Sequence, residues 1–161
     1  MEVRVIKTRL NHVSVCAVDL PLAVDFYREL FGLEELPTPN FGFPVRWMRV
    51  GDLQLHLFER PERVPEYQHL ALSVDDFERV YRRAQQLGCL DDVAFGHHLY
   101  LLPGGIVQLY LRDPSGNLIE VDWPNVKTLD PELIAGIRPL PHPQVGDNLI
   151  ATLFLNAGQP A

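Results

Sequence analysis

Cysteine is scarce in this chain. Cys16 and Cys89 are its only two among 161 residues, and they form no CxxC pair, so a disulfide framework is not indicated and both read as reduced thiols. Long apolar runs are missing as well. No stretch approaches the length of a membrane span, and the start Met1-Glu2-Val3-Arg4-Val5-Ile6-Lys7 lacks the apolar core of a secretion signal, which sets the expectation of a cytoplasmic protein without a membrane partner. Positive charge is in deficit: 14 Lys and Arg stand against 21 Asp and Glu, for a net charge of -7, and no local basic run reverses the balance. Such a surface disfavours nucleic acid and anionic lipid. Small polar metabolites remain as the expected partners.

What is present is an apolar content of 47%, enough for one sizeable domain or for two small modules sharing a core. The order of patterns favours two modules. Leu10 to Ala17 alternates like a strand, with Val13, Val15 and Ala17 on one face and His12, Ser14 and Cys16 on the other. Asp19 caps a predicted helix over Pro21 to Phe31, with Leu22, Phe26, Leu30 and Phe31 as its apolar stripe and Gly32 as its stop. Glu34 to Pro44 reads as a short strand plus a loop. Val45 to Val50 and Leu53 to Phe58 are strands joined at Gly51-Asp52, a favourable hairpin dipeptide that would set Trp47 opposite His56 and Arg49 opposite Gln54. Glu59 to Glu66, broken by Pro61 and Pro65, is a linker candidate.

The same series then begins again. Gln68-His69-Leu70-Ala71-Leu72-Ser73-Val74 matches Asn11 to Ala17 in alternation and in the position of its histidine. Asp75-Asp76 replaces Asp19 as the cap, Phe77 to Leu87 is a second amphipathic helix, and Gly88 stops it. Strands follow at His98 to Leu102 and Ile106 to Arg112. The turn Asp113-Pro114-Ser115-Gly116 leads into a last strand in which Leu118, Glu120 and Asp122 oppose Asn117, Ile119, Val121 and Trp123. A repeat of this length is an architectural signal.

In the terminal strands of both units the aliphatic face should lie under the helix. His12, His56, His69 and Glu120 then share the phase that points away from it. A carboxylate there faces water, a partner, or a cavity holding something positive, because unpaired burial is costly. Imidazoles with one carboxylate suit a divalent first-row transition ion and leave positions open for a substrate.

These residues carry a resemblance. Leu10-Asn11-His12-Val13 with Asp19-Leu20 and Phe26-Tyr27, Gly51 to Glu59, Gln68 to Leu72, and Asp113 to Glu120 resemble the vicinal oxygen chelate superfamily, which includes glyoxalase I, fosfomycin-resistance proteins, bleomycin-binding proteins and extradiol dioxygenases. The resemblance spans about residues 8 to 124. It implies an α+β fold of two βαβββ modules, about 8–60 and 66–124 within a domain of residues 1–124, forming a curved mixed sheet around a metal-binding cavity.

It further implies that His12, His69, Glu120 and His56 are metal ligands, that Glu120 and His56 are catalytic, and that the ion is Fe, Mn, Ni, Co or Zn. Glyoxalase I usually has Glu where this chain has His56, which makes the ligand set less anionic. Without His56, two histidines and a glutamate resemble the Fe(II) set of extradiol dioxygenases. The implied function is a metal-dependent enzyme that chelates vicinal oxygens of a small-molecule substrate, as glyoxalases or extradiol dioxygenases do. The alternative is a non-catalytic drug- or aromatic-binding resistance protein of the same fold. A homodimer is the family expectation.

Other residues stay open at this level. Trp47 is a cavity or a core residue, Arg49 a cavity or a rim residue, and His97 and His98 sit in a loop before a strand. Tyr100 and Tyr110 are undecided, and Asp122 reads as exposed or as support for a ligand. Residues 125–161 form an extension expected to pack on the core or on a partner subunit. In it Asp130-Pro131-Glu132 opens a short helix and Leu149 to Leu155 is a late strand.

Overall fold

Two successive helices cap and stop where the sequence places them, and each is followed by its own antiparallel strands. The computed structural model describes residues 9–61 and 64–155, and the chain divides into two compact units, Met1–Glu62 and Arg63–Ala161. The fold is α+β, with an open mixed sheet in each unit.

In the first unit, β1 (His12–Ala17) is followed by α1 (Leu20–Phe31), β2 (Glu35–Leu36), β3 (Val45–Val50) and β4 (Leu53–Glu59). Asp19 accepts the Leu22 amide at 2.9 Å, and Gly32 takes the left-handed conformation at φ 67° that ends the helix. The strand order is β1-β4-β3-β2, with β1 parallel to β4 and the remaining pairs antiparallel. Ala17, Met48, Leu55 and Leu57 are buried on one face of this sheet, against which α1 sets Leu20, Ala23, Val24, Tyr27 and Leu30.

Three sequence expectations need correction here. The helix begins at Leu20, and its stripe runs i, i+3, i+4, i+7 from there, so Leu22 falls on the far side and is 52% exposed. The first strand begins at His12, because Leu10 is exposed and lies before the paired stretch. Glu59 belongs to β4, not to the linker: it pairs with Ala17, and its Oε2 accepts the Leu20 amide at 3.4 Å. Residues 62 and 63 of that linker lie outside the described residues.

The second unit repeats the order with β5 (His69–Ser73), α2 (Phe77–Leu87), β6 (Leu99–Leu101), β7 (Val107–Arg112) and β8 (Leu118–Trp123). Asp76 accepts the Arg79 amide at 3.0 Å, and Gly88 closes the helix at φ 65°. Again the entering strand runs parallel to the last strand of its module. The order is β5-β8-β7-β6-β9, where β9 (Arg138–Pro139) comes from the extension and runs parallel to β6. Phe77, Val80 and Ala84 of α2 are buried, and the Phe77 ring lies 6.1 Å from that of Trp123.

The extension is tied to this unit at several points. Trp123 Nε1 donates to Thr128 Oγ1 at 2.9 Å, and the Asp130 amide donates to Glu78 Oε1 of α2 at 2.7 Å. Asp130 caps α3 (Pro131–Gly136), as the sequence expects. The late strand over Leu149 to Leu155 does not form. Gly146–Ile150 is a 3-10 turn and the residues to 155 are irregular, since their alternation meets no strand edge to bond with among the described residues. Residues 156–161 lie outside the described part.

Candidate metal centre

Register decides which side chains share a face, because directly paired residues point the same way. In the first unit Ser14 pairs with His56 and His56 with Trp47, while His12 pairs with Gln54 and Gln54 with Arg49. The hairpin register predicted from Gly51-Asp52 is therefore the observed one. All these residues lie on the face opposite α1.

His56, only 7% exposed, is the centre of a ring stack. Its imidazole lies 4.3 Å from that of His12 at 15° and 4.4 Å from the Trp47 ring at 8°. Gln54 Oε1 is 2.8 Å from His56 Nε2, and His12 Nδ1 contacts Asn11 Oδ1. Burial, then the neighbouring His12, lowers the pKa of His56. It is thereby biased to the neutral form that a metal ligand requires. The ring series continues from Trp47 to Phe41 at 6.0 Å, to Phe43 at 6.1 Å and to Phe58 at 6.0 Å. Trp47 Nε1 is buried without a hydrogen-bond acceptor among the described residues.

The second unit holds the carboxylate. Glu120 is paired with Ala71 on one side and Tyr110 on the other, on the face opposite α2, and is 5% exposed. Gln108 Nε2 donates to Glu120 Oε1 at 2.8 Å, and Tyr110 Oη donates to Gln108 Oε1 at 3.0 Å, which fixes the orientation of the amide. The other carboxylate oxygen, Oε2, lies 3.4 Å from His69 Nε2. His69 Nδ1 is 2.8 Å from the Tyr67 carbonyl, an acceptor only, so Nδ1 carries the proton. In the neutral ring Nε2 then presents a lone pair to a carboxylate oxygen. Two acceptors facing each other require a proton or a cation between them.

A second buried carboxylate sharpens this requirement. Asp122 follows Glu120 on the same face, is 3% exposed, and its Oδ1 has no hydrogen-bond partner among the described residues. Burial, then the Glu120 carboxylate, pushes Asp122 well above the usual carboxylate range. Burial, with Glu120 second, likewise raises the Tyr110 phenol. Among the described residues the sole ion-pair partner of Glu120 is His69. The donor set fits a divalent ion: an imidazole oriented through Nδ1, a carboxylate oriented through Gln108, and a second carboxyl, Asp122, buried and crowded against Glu120.

The structure brings His12 together with His56 in one unit and His69 together with Glu120 in the other. Asp122 is buried, not exposed. Arg49, read as a cavity or a rim residue, lies 3.8 Å from Glu34, while Arg46 pairs with Glu35 at 3.0 Å and Arg112 with Asp91 at 3.0 Å. Sequence reasoning missed Gln108, although its alternation with Tyr110 in β7 puts both on the Glu120 face. His97 and His98, read as loop histidines, form a group with Asp92 whose ligand atoms lie within 4.8 Å of one another.

Comparison with known proteins follows this geometry. The family model described as Glyoxalase/Bleomycin resistance protein/Dioxygenase superfamily matches residues 9–121. The chain is 26% identical over 126 residues to the Arabidopsis thaliana protein "Glyoxylase I 4", covering 71% of this chain and 70% of that protein. It is 24% identical over 132 residues to the Mus musculus protein "Methylmalonyl-CoA epimerase, mitochondrial", covering 71% and 72%. Among solved structures it is similar to lactoylglutathione lyase from Agrobacterium tumefaciens, with a TM-score of 0.55 and 25% identity, covering 72% of this chain and 93% of that one.

Proposed function

The chain belongs to the Glyoxalase/Bleomycin resistance protein/Dioxygenase superfamily, and from that membership we propose a metal-dependent enzyme whose ligands for a divalent transition ion are drawn from His12, His56, His69 and Glu120. The observation that carries this reading is the His69–Glu120 pair, whose facing acceptors leave a position that only a proton or a cation satisfies. The lowered pKa of His56 supports it, as does the crowding of the buried Asp122 carboxyl against Glu120, which a cation would relieve. The substrate is a small molecule with two adjacent oxygens. A homodimer is the working assembly in this reading, to be tested by light scattering.

When bound, such an ion supplies a Lewis acid that polarises the substrate oxygens and steadies negative charge developing on them. The residues of the chain do the rest. Gln108 holds Glu120 Oε1, leaving Oε2 for both proposed roles, as a ligand and, when released, as the acceptor of a proton from a carbon beside a carbonyl. His56, flanked by Trp47 and His12, is either a fourth ligand or a mobile base. Proton transfer of this kind, a lyase or isomerase reaction, is preferred over ring cleavage because the curated relatives reported above are named for a glyoxalase and an epimerase.

A binding protein of the same fold is the rival, favoured by the rings of Phe41, Phe43, Trp47 and Phe58. The experiment measures metal content of tag-free protein alongside solvent-deuterium exchange into 2-oxo substrates and thioesters. About one equivalent of metal lost in His69→Ala, with exchange slowed about 100-fold or more in Glu120→Gln, supports the enzyme. Oxygen uptake with catechols would move the reaction to ring cleavage. No His69-dependent metal in any preparation, with retained binding of aromatic compounds, would establish the rival.

A further inference from the structure

The loop entering β6 is more heavily braced than a connection needs to be. The Asp91 amide donates to the Tyr110 carbonyl at 3.0 Å, and the Asp91 carboxylate accepts the Ala94 amide at 2.9 Å and Arg112 Nε at 3.0 Å. Tyr100 Oη donates to the Phe95 carbonyl at 2.6 Å, and the Tyr110 amide to the His98 carbonyl at 2.8 Å. Gly96 turns the chain at φ 80°. On this frame His97 and His98, which would point to opposite faces of a regular strand, lie with their rings stacked at 4.6 Å and 16°. Tyr81 of α2 stacks beyond His98 at 6.0 Å, and Tyr100 meets His97 edge-on at 6.0 Å.

Each imidazole is held at Nδ1. His98 Nδ1 lies 2.7 Å from Asp92 Oδ1, which also accepts the His98 amide at 3.0 Å. His97 Nδ1 lies 3.0 Å from the Leu99 backbone. Among the described residues no hydrogen-bond partner occupies either Nε2. His98, held at Nδ1 by a carboxylate with Nε2 unengaged, is arranged as metal-binding histidines are, and His97, whose Nδ1 accepts the Leu99 amide, stacks beside it. Nothing of this kind is needed to close a loop already pinned by Asp91, Tyr100 and Tyr110.

We propose that Asp92, His97 and His98 form a second metal site, separate from the His69–Glu120 pair, that takes a late first-row divalent ion such as Zn2+ or Ni2+. Ligand type sets that class: two imidazoles and a carboxylate favour these ions over Mg2+ or Ca2+. The ligand atoms, within 4.8 Å of one another, need side-chain adjustment of about 1 Å to meet an ion at about 2 Å. The site adjoins the first through Phe95, whose ring lies 4.6 Å from Tyr110 and 6.2 Å from His69.

The test titrates tag-free, chelator-stripped full chain with Zn2+ alone by calorimetry. Wild type is expected to bind two equivalents, His69→Ala to lose one, and the His97→Ala/His98→Ala double variant to lose the other. Wild-type stoichiometry in the double variant would overturn the proposal. Loss in the double variant but not in His69→Ala would uphold it while removing the function proposed above. Should the double variant fail to fold, carbethoxylation of wild type read by mass spectrometry decides. At least tenfold protection of His97 and His98 by Zn2+ in the His69→Ala background upholds the site, and unprotected modification overturns it.

Discussion

Gln108 illustrates how much of the candidate centre depends on residues that touch no ion. Its amide donates to Glu120 and accepts from Tyr110, so Gln108→Leu strips a buried carboxylate of one donor and a buried phenol of its acceptor. We expect a loss of about 1–3 kcal/mol in stability and a 10- to 100-fold fall in metal affinity, read by chemical denaturation and by chelator competition. Cys89 gives a pH-dependent prediction away from the centre. Burial raises its thiol, with the backbone contact opposing more weakly, so the thiolate is depleted at neutral pH. Its alkylation should be slow at pH 7, rise about tenfold per pH unit, and level only above pH 9, as followed by mass spectrometry. The shared face of these His and Glu residues within each sheet was legible in the sequence because they stand in a constant strand phase. Gln108 was not, since a neutral amide carries no chemical signal until its neighbour across the hairpin is known.

Elements position these side chains through their turns. The Asp113 carboxylate accepts the Ser115 and Asn117 amides at 2.9 and 2.8 Å and Asn117 Nδ2 at 2.7 Å, while Gly116 at φ 87° completes the bend into β8. Asp113→Ala removes charge-assisted bonds from a buried turn and should cost about 2–4 kcal/mol, or roughly 5–12 °C in melting temperature. Because β8 carries Glu120 in a fixed register, metal affinity should fall with it. An intact affinity in a destabilised variant would show that the turn does not position the ligand. Caps, stops and the Gly51-Asp52 register were readable because each is a local backbone requirement met by one residue type. The buried stripe of α1 was displaced because Leu22 is as apolar as Leu20, and only the sheet beneath tells them apart. Leu149 to Leu155 failed for the opposite reason: alternation describes a strand only where an edge is available to pair with it.

At the scale of the molecule, the second unit is larger than its sequence repeat. Leu129 and Leu133 are buried, β9 pairs with β6, and Glu78 holds the Asp130 amide, so the extension belongs to the core of this unit. Each of the two leucines accounts for about 1.5–3 kcal/mol of burial. A chain ended after Pro124 should therefore melt well below wild type, whereas one ended after Pro143 should keep most of its stability, as calorimetry would show.

The two-module plan was legible because the whole series of cap, helix, stop and strands recurs with its histidine in place. The attachment of the extension was not, since it depends on single contacts without a repeating pattern. The central proposal is that His69 and Glu120 hold a divalent ion. X-ray absorption at one equivalent of metal, in the His97→Ala/His98→Ala background, tests it most directly. His69→Ala is expected to remove one imidazole contribution from the metal spectrum. A spectrum untouched by His69→Ala would contradict it.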